Sequence, residues 1–201
     1  MLRRVFFLMV TFLYAGVALA APVIGKPAPA FKAVDAISGK PLTLAELKGK
    51  TVVLEWNNFK CPFVRKFYSV GAMQTLQARA VKEGVVWVSV NSSAAGKEGY
   101  LANATEAKQA IAENKSNAVH YLLDSDGVVG HAYEAKTTPH LFVINAEGIL
   151  VYMGAIDSKP SADSADIASA TNYVSEALRA LQQGKPVKTS ATKSYGCFVK
   201  Y

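Results

Sequence analysis

The sequence predicts an α/β protein, a central mixed β-sheet flanked by helices on both faces. Three observations carry this. Apolar, β-branched runs at Thr51–Trp56, Val85–Val90 and Leu141–Ile144 are continuous rather than alternating, which marks strands buried on both sides. Stretches with helical spacing of apolar residues stand between and after them, at 62–83, 103–114 and 167–183. Turn-forming clusters separate the two kinds, among them Asp124-Ser125-Asp126-Gly127 and Asn145-Ala146-Glu147-Gly148. Alternating strands and helices pack as layers rather than as a bundle or a sandwich.

In chain order, the proline-rich residues 21–30 read as an extended lead-in, followed by a short strand at Phe31–Val34 and a turn at Ser38-Gly39-Lys40. Thr43–Leu47 makes one helical turn, closed by Gly49. Thr51–Trp56 is a buried strand. Pro62 suits the first turn of a helix, and Phe63, Phe67, Val70, Leu76 and Ala80 give that helix an apolar face as far as Gly84. Val85–Val90 is the next strand, the polar stretch Asn91–Gly99 shows no element, and Asn103–Asn114 is a helix with Glu106 and Lys108 outward. Tyr121–Leu123 leads through a turn to a short helix at Val128–Tyr133. Leu141–Ile144 and Ile149–Met153 form a β-hairpin, residues 157–166 are polar loop, and Ile167–Gln183 is a last amphipathic helix stopped by Gly184 and Pro186. Residues 185–201 show no periodicity and read as a mobile tail.

The start of the chain addresses the protein. Met1-Leu2-Arg3-Arg4 is positive, Val5–Ala20 is apolar and uncharged, and Ala18-Leu19-Ala20 fits a small-x-small cleavage site with Ala21 as the first mature residue. The apolar run falls short of the roughly 20 residues of a spanning helix, so residues 1–20 read as a cleaved signal peptide, with an uncleaved anchor as the alternative. A periplasmic or secreted location follows, with no integral membrane span after cleavage. Residues 21–184 then form one domain and 185–201 its tail. The net charge is +7, but its basic residues are scattered and not interleaved with aromatics, so no nucleic-acid partner is expected. His120, His131 and His140 show no ligand spacing with the two cysteines, so neither a metal nor another cofactor is expected.

Those cysteines, Cys61 and Cys197, carry the functional reading. An exported protein with two distant cysteines has room for one bridge or for redox chemistry. Cys61 ends the loop after a buried strand and opens a helix at Pro62, where unpaired backbone N–H groups favour thiolate. Lys60, Arg65 and Lys66 add positive charge, and Arg65 falls on the face of the thiol. The competing reading is an inert buried cysteine.

Thr51–Arg65 resembles the active-site segment of the thioredoxin superfamily. It is most similar to exported thiol–disulfide oxidoreductases and to the peroxiredoxin-like redoxin (AhpC/TSA) proteins. Cys61-Pro62-Phe63-Val64 matches Cys-x-x-Cys, with Cys61 in the nucleophile position. Thr138-Pro139 resembles the superfamily's cis-proline segment, Ile144–Ile149 its "ID-x-x-G" hairpin, and Gly25–Phe31 the redoxin lead-in "G-x-x-A-P-x-F". The terminal Gly196-Cys197-Phe198-Val199-Lys200-Tyr201 resembles the tail of a redoxin subset with Cys-Pro-Phe-Val. Two departures stand out. Val64 replaces the local resolving cysteine. Asn58 and Leu54 stand where the peroxiredoxin Pro-x-x-x-Thr-x-x-Cys pattern has threonine and proline.

The resemblance implies a thioredoxin-like fold and a thiol–disulfide oxidoreductase, with a thiol or disulfide protein, a small thiol or a peroxide as partner. Cys61 is the nucleophile, aided by Pro62 and Arg65. Thr138, Pro139, Trp56 and Asn58 are the substrate-binding candidates. Cys197 on the tail replaces the missing resolver through a Cys61–Cys197 disulfide. Two alternatives stay open, a peroxiredoxin-like thiol peroxidase and a non-catalytic binding module with a permanent Cys61–Cys197 staple. His140, after the proline, is a weaker candidate for a general base.

Overall fold

The computed structural model describes residues 21–201, so the signal-peptide reading of 1–20 lies outside the described residues. Lys32–Asp35 (β1) and Pro41–Thr43 (β2) form a hairpin, and a 3-10 turn at Leu44–Leu47 follows. Val52–Trp56 is β3, Val86–Asn91 β4, His120–Leu123 β5, His140–Ile144 β7 and Leu150–Gly154 β8. Together they make one seven-stranded sheet in the order β2-β1-β5-β4-β3-β7-β8. β3 is parallel to β4, and β4 to β5. The pairs β1–β5, β3–β7 and β7–β8 are antiparallel, so the sheet is mixed as expected.

Both faces of the sheet are covered, which explains why β3 and β7 are buried at every residue and are apolar but for Glu55 and His140. Successive side chains of β3 point to opposite faces. Val53 enters a core with α1 (Pro62–Tyr68), α2 (Ala72–Lys82) and α5 (Tyr173–Gln182), whereas Val52, Leu54 and Trp56 enter one with α4 (Val128–Ala132). Ala107 of α3 (Ala104–Glu113) packs on Tyr121.

The helix expected over 62–83 is two helices. Gly71, at φ 77°, occupies the left-handed region and re-aims the chain between α1 and α2. The last helix begins at Tyr173, not Ile167, because the Asn172 side chain caps it by accepting from the Ser175 amide at 2.8 Å, and Ser164–Ser169 forms a separate 3-10 turn. Two short strands escape the sequence pattern, Thr137–Thr138 (β6) and Cys197–Phe198 (β9), which pair antiparallel as a second sheet. The tail is therefore docked rather than mobile. Its Ser190 carbonyl accepts from the Met153 amide at 3.0 Å, and the Thr192 amide donates to the Met153 carbonyl at 3.0 Å. Among the described residues, no helix is long and apolar enough to cross a membrane.

Candidate active site

Cys61 is the N-cap of α1, and Pro62 occupies the first helical position, where the missing N–H costs nothing. The Cys61 thiol is 1% exposed and donates to the Thr138 carbonyl at 3.1 Å. Thr138 precedes a cis peptide bond to Pro139 and ends β6. Thr138 is also in register with Cys197 of β9. Residues from three distant stretches of sequence thus meet at one point. Both cysteines are free thiols in this structure, so the expected Cys61–Cys197 disulfide is not formed here, although both residues meet at Thr138. The Cys197 thiol is pushed up to about 12, first by burial, then by its hydrogen bond to Cys61 and the charge there. Gly196 makes this approach possible. A Cβ there would run into the Thr138 carbonyl oxygen, and its φ of 136° is open to glycine alone in practice.

The other predicted site residues fall in different places. Thr138 Oγ1 is buried with no hydrogen-bond partner among the described residues. Arg65 is exposed and lines, with Asn58, Lys60 and Lys97, a cavity of about 510 Å³ on the flank of the Cys61 loop. Trp56 does not face a substrate. It is wholly buried against Tyr133 and Phe142, and its indole N–H donates to Ser92 Oγ at 3.0 Å. Its place on a doubly covered strand is the reason. Asn58 holds the loop, accepting from the Lys60 amide at 2.9 Å and donating to the Glu98 carbonyl at 2.9 Å, which leaves it little to offer a substrate. His140 is buried, accepts from the Lys136 amide at 3.3 Å and is held down to about 4 by burial and then by Lys136, so it is neutral and a poor base near pH 7. Among the described residues, no group of three or more His, Cys, Asp or Glu is placed to hold a metal ion.

Two buried polar clusters, around Glu55 and around the Lys66–Asp157 pair, were not read as clusters from the sequence. Glu55, on β3 six residues before Cys61, is fully buried. Its carboxylate accepts from Trp87 Nε1 at 2.8 Å, Asn57 Nδ2 at 2.9 Å, Gln77 Nε2 at 3.0 Å, Tyr68 Oη at 3.1 Å and Ser89 Oγ at 3.2 Å. Burial nevertheless raises its pKa against the pull of those donors. The available signal was a carboxylate inside an apolar strand, where burial without partners is costly. The second cluster is Lys66, whose side chain is fully buried. Its ammonium lies 3.2 Å from Asp157 and donates to the Lys159 carbonyl at 2.8 Å. Asp157 also accepts from the Tyr195 hydroxyl, two residues before Cys197. Lys66 was read from the sequence as a positive neighbour of the thiol, but it is committed to holding the tail.

A family model described as Redoxin matches residues 24–172. No curated protein is recognisably similar to the chain. Among solved structures, an uncharacterized conserved protein from Geobacillus kaustophilus is 26% identical with a TM-score of 0.74, covering 89% of this chain and 92% of its own. A hypothetical protein from Sinorhizobium meliloti is also 26% identical, with a TM-score of 0.72 over 89% of this chain and 94% of its own. A Chlorobium tepidum protein, provisionally named thiol:disulfide interchange protein DsbE, is 22% identical with a TM-score of 0.53, covering 66% of this chain and 84% of its own, a likeness of fold alone. With its mixed sheet, its Cys-Pro at a helix start and its cis-proline preceded by the carbonyl that accepts from that thiol, the chain has a thioredoxin-like fold and belongs to the redoxin family.

Proposed function

We propose that the protein is an exported thiol–disulfide oxidoreductase in which Cys61 is the nucleophile and Cys197 the resolving residue. The observation that carries this is the juxtaposition of two free thiols across the Thr138 carbonyl, on a tail strand held in register with β6. The pair is asymmetric. Burial first of all pushes the Cys197 thiol up, while Cys61 stands at the start of α1, which casts Cys61 as the attacking sulfur and Cys197 as the second to react.

The first half of the cycle is balanced as follows. Cys61 loses its proton and attacks a substrate disulfide, forming a Cys61–substrate bond as one substrate sulfur leaves as thiolate and takes a proton. Cys197 then loses its proton to the second leaving sulfur and attacks Cys61. The products are a Cys61–Cys197 disulfide and two substrate thiols, with two electrons passed from protein to substrate. A thiol reductant reverses the protein half by the same exchange. Export rests on the pattern of residues 1–20, and the DsbE-named relative supports thiol exchange by likeness of fold. The hydroperoxidase alternative is weaker because Asn58, in the position of the peroxiredoxin threonine, is engaged by Glu98 and Lys60.

Replacing Cys61 with Ser is expected to abolish exchange with oxidised glutathione. Replacing Cys197 with Ser is expected to trap a mixed disulfide on Cys61, visible as a mass increase of one glutathione moiety. Exchange that survives Cys61→Ser would overturn the proposal. Titration of the disulfide against glutathione separates the remaining alternative, because a bridge with a potential below about −300 mV behaves as a permanent staple.

A further inference from the structure

β6 is two residues long and stops at Pro139, so it offers one short edge beside Cys61. An extended polypeptide bringing a disulfide to Cys61 along this edge would add a strand there and use the same backbone groups. The chain's own tail already does so. Thr137 is in register with Phe198 and Thr138 with Cys197, and the Val199 amide donates to the Lys136 carbonyl at 3.1 Å. Burial holds the tail strand only in part: Cys197 packs on the core, whereas Phe198 is 79% exposed.

It is held at its two ends. Upstream, the Tyr195 hydroxyl donates to Asp157, the Lys66 ammonium lies 5.5 Å from the Tyr195 ring centre, and Phe63 packs edge-on against that ring. Downstream, the Ala94 amide donates to the Lys200 carbonyl at 2.7 Å and the Tyr201 hydroxyl to the Ala135 carbonyl at 2.8 Å. The Tyr201 ring stacks on His131 at 4.1 Å, over a floor made by Gly127 and Gly130. A Cβ at Gly130 would stand 2.5 Å from that ring, so the floor is shaped to the tail's last residue.

Resting on the oxidoreductase reading above, we propose that the docked tail is a strap that reserves Cys61 for low-molecular-weight disulfides and excludes polypeptide disulfides. Reaching a sulfur that is 1% exposed takes some opening for any substrate. A small disulfide requires only that side chains around Cys197 yield. A polypeptide requires β9 to leave β6 while both anchors resist. The reaction with a small disulfide RSSR forms Cys61–SR and releases one RSH. Cys197 then displaces the second RSH and leaves the Cys61–Cys197 bond, so the small disulfide is the two-electron oxidant of this half-reaction.

The test uses the mature chain carrying Cys197→Ser, so that adducts on Cys61 accumulate and are counted by mass. Oxidised glutathione is the small probe and insulin the polypeptide probe. Adding Gly196→Val drives β9 off the Thr138 carbonyl while leaving Tyr195 and Tyr201 in place. A strap undocked a tenth of the time or less predicts that the insulin rate rises about tenfold or more and the glutathione rate less than about threefold. Tyr201→Ala, which loosens the far anchor, is expected to move the rates in the same direction and stands in if the valine chain does not fold by circular dichroism. An equal rise for both probes, or an unchanged insulin rate, overturns the strap and leaves Cys61 a nucleophile. No glutathione adduct in any variant overturns the nucleophile assignment, and this inference with it.

Discussion

At residue 55 a carboxylate stands in a strand whose other four members are apolar and buried. Five side-chain donors converge on it, yet burial outweighs them and raises its pKa from 4.5. A carboxyl whose folded pKa lies above its unfolded value contributes most below the unfolded value, and that contribution is lost as pH rises through the folded value. Glu55→Gln removes this titration, so the stability difference between wild type and variant is expected to shift in the variant's favour as pH rises above 4.5, measured by urea unfolding at several pH values. The variant's amide N–H also faces donors, which is expected to lower stability overall by about 1–3 kcal/mol. Alkylation reads how firmly Cys197 is held as a thiol. An ordinary thiol with pKa 9.0 is half ionised at pH 9, whereas Cys197 is pushed up to about 12. Iodoacetamide labelling of the reduced protein from pH 7 to 11, followed by mass spectrometry, is expected to show Cys197 lagging a free cysteine by more than a pH unit. Equal labelling would contradict the docked tail thiol.

At the scale of the element, the break between α1 and α2 is a backbone matter. A Cβ on Gly71 would meet nothing within 4 Å, so Gly71→Ala tests the left-handed conformation alone and is expected to cost about 1 kcal/mol in denaturant unfolding. α1 itself does two jobs within a turn and a half. Its N-terminus carries Cys61, while Lys66 a turn later grips Asp157 and through it the tail. Tyr195→Phe keeps the ring and removes the donor to Asp157. It is expected to destabilise the protein by about 1–3 kcal/mol, and to raise hydrogen exchange at residues 195–199 more than elsewhere. Uniform exchange would show that the hydroxyl does not anchor the tail.

For the molecule as a whole, a Cys61–Cys197 bond ties the far end of the chain to its centre. A loop of that size is expected to stabilise the oxidised form by at most about 5 kcal/mol on the chain-entropy model. Because the reduced tail is already docked through Tyr195 and Tyr201, its ends are already close in the folded state, and the gain comes from constraining the unfolded chain. The denaturant midpoint of the oxidised protein is expected to exceed that of the reduced protein, and Cys197→Ser to remove the difference.

The layered α/β architecture and its central strands were legible in the sequence because burial on both faces leaves mostly apolar runs, as at Val52–Trp56, broken only by Glu55, and Leu141–Ile144. Cys61 was legible as well, since a cysteine followed by proline after such a strand marks a strand-to-helix junction. Periodicity could not reveal β6 and β9. Each is two residues long, and their pairing joins segments some sixty residues apart through backbone groups that carry no side-chain signature. For the same reason the tail read as mobile, although tyrosines at 195 and 201 bracket its cysteine. Trp56 and Asn58 illustrate the converse limit: sequence placed them near the thiol, but only packing decided that one faces the core and the other braces a loop. Local pattern in the chain encodes which faces are buried, and so the layers and the nucleophile candidate, while the cis-proline came from the family resemblance of Thr138-Pro139. The tertiary structure alone decided that Cys197 lies against Cys61, because that proximity depends on a glycine fitting under the Thr138 carbonyl and on two tyrosine anchors formed by residues distant in the chain.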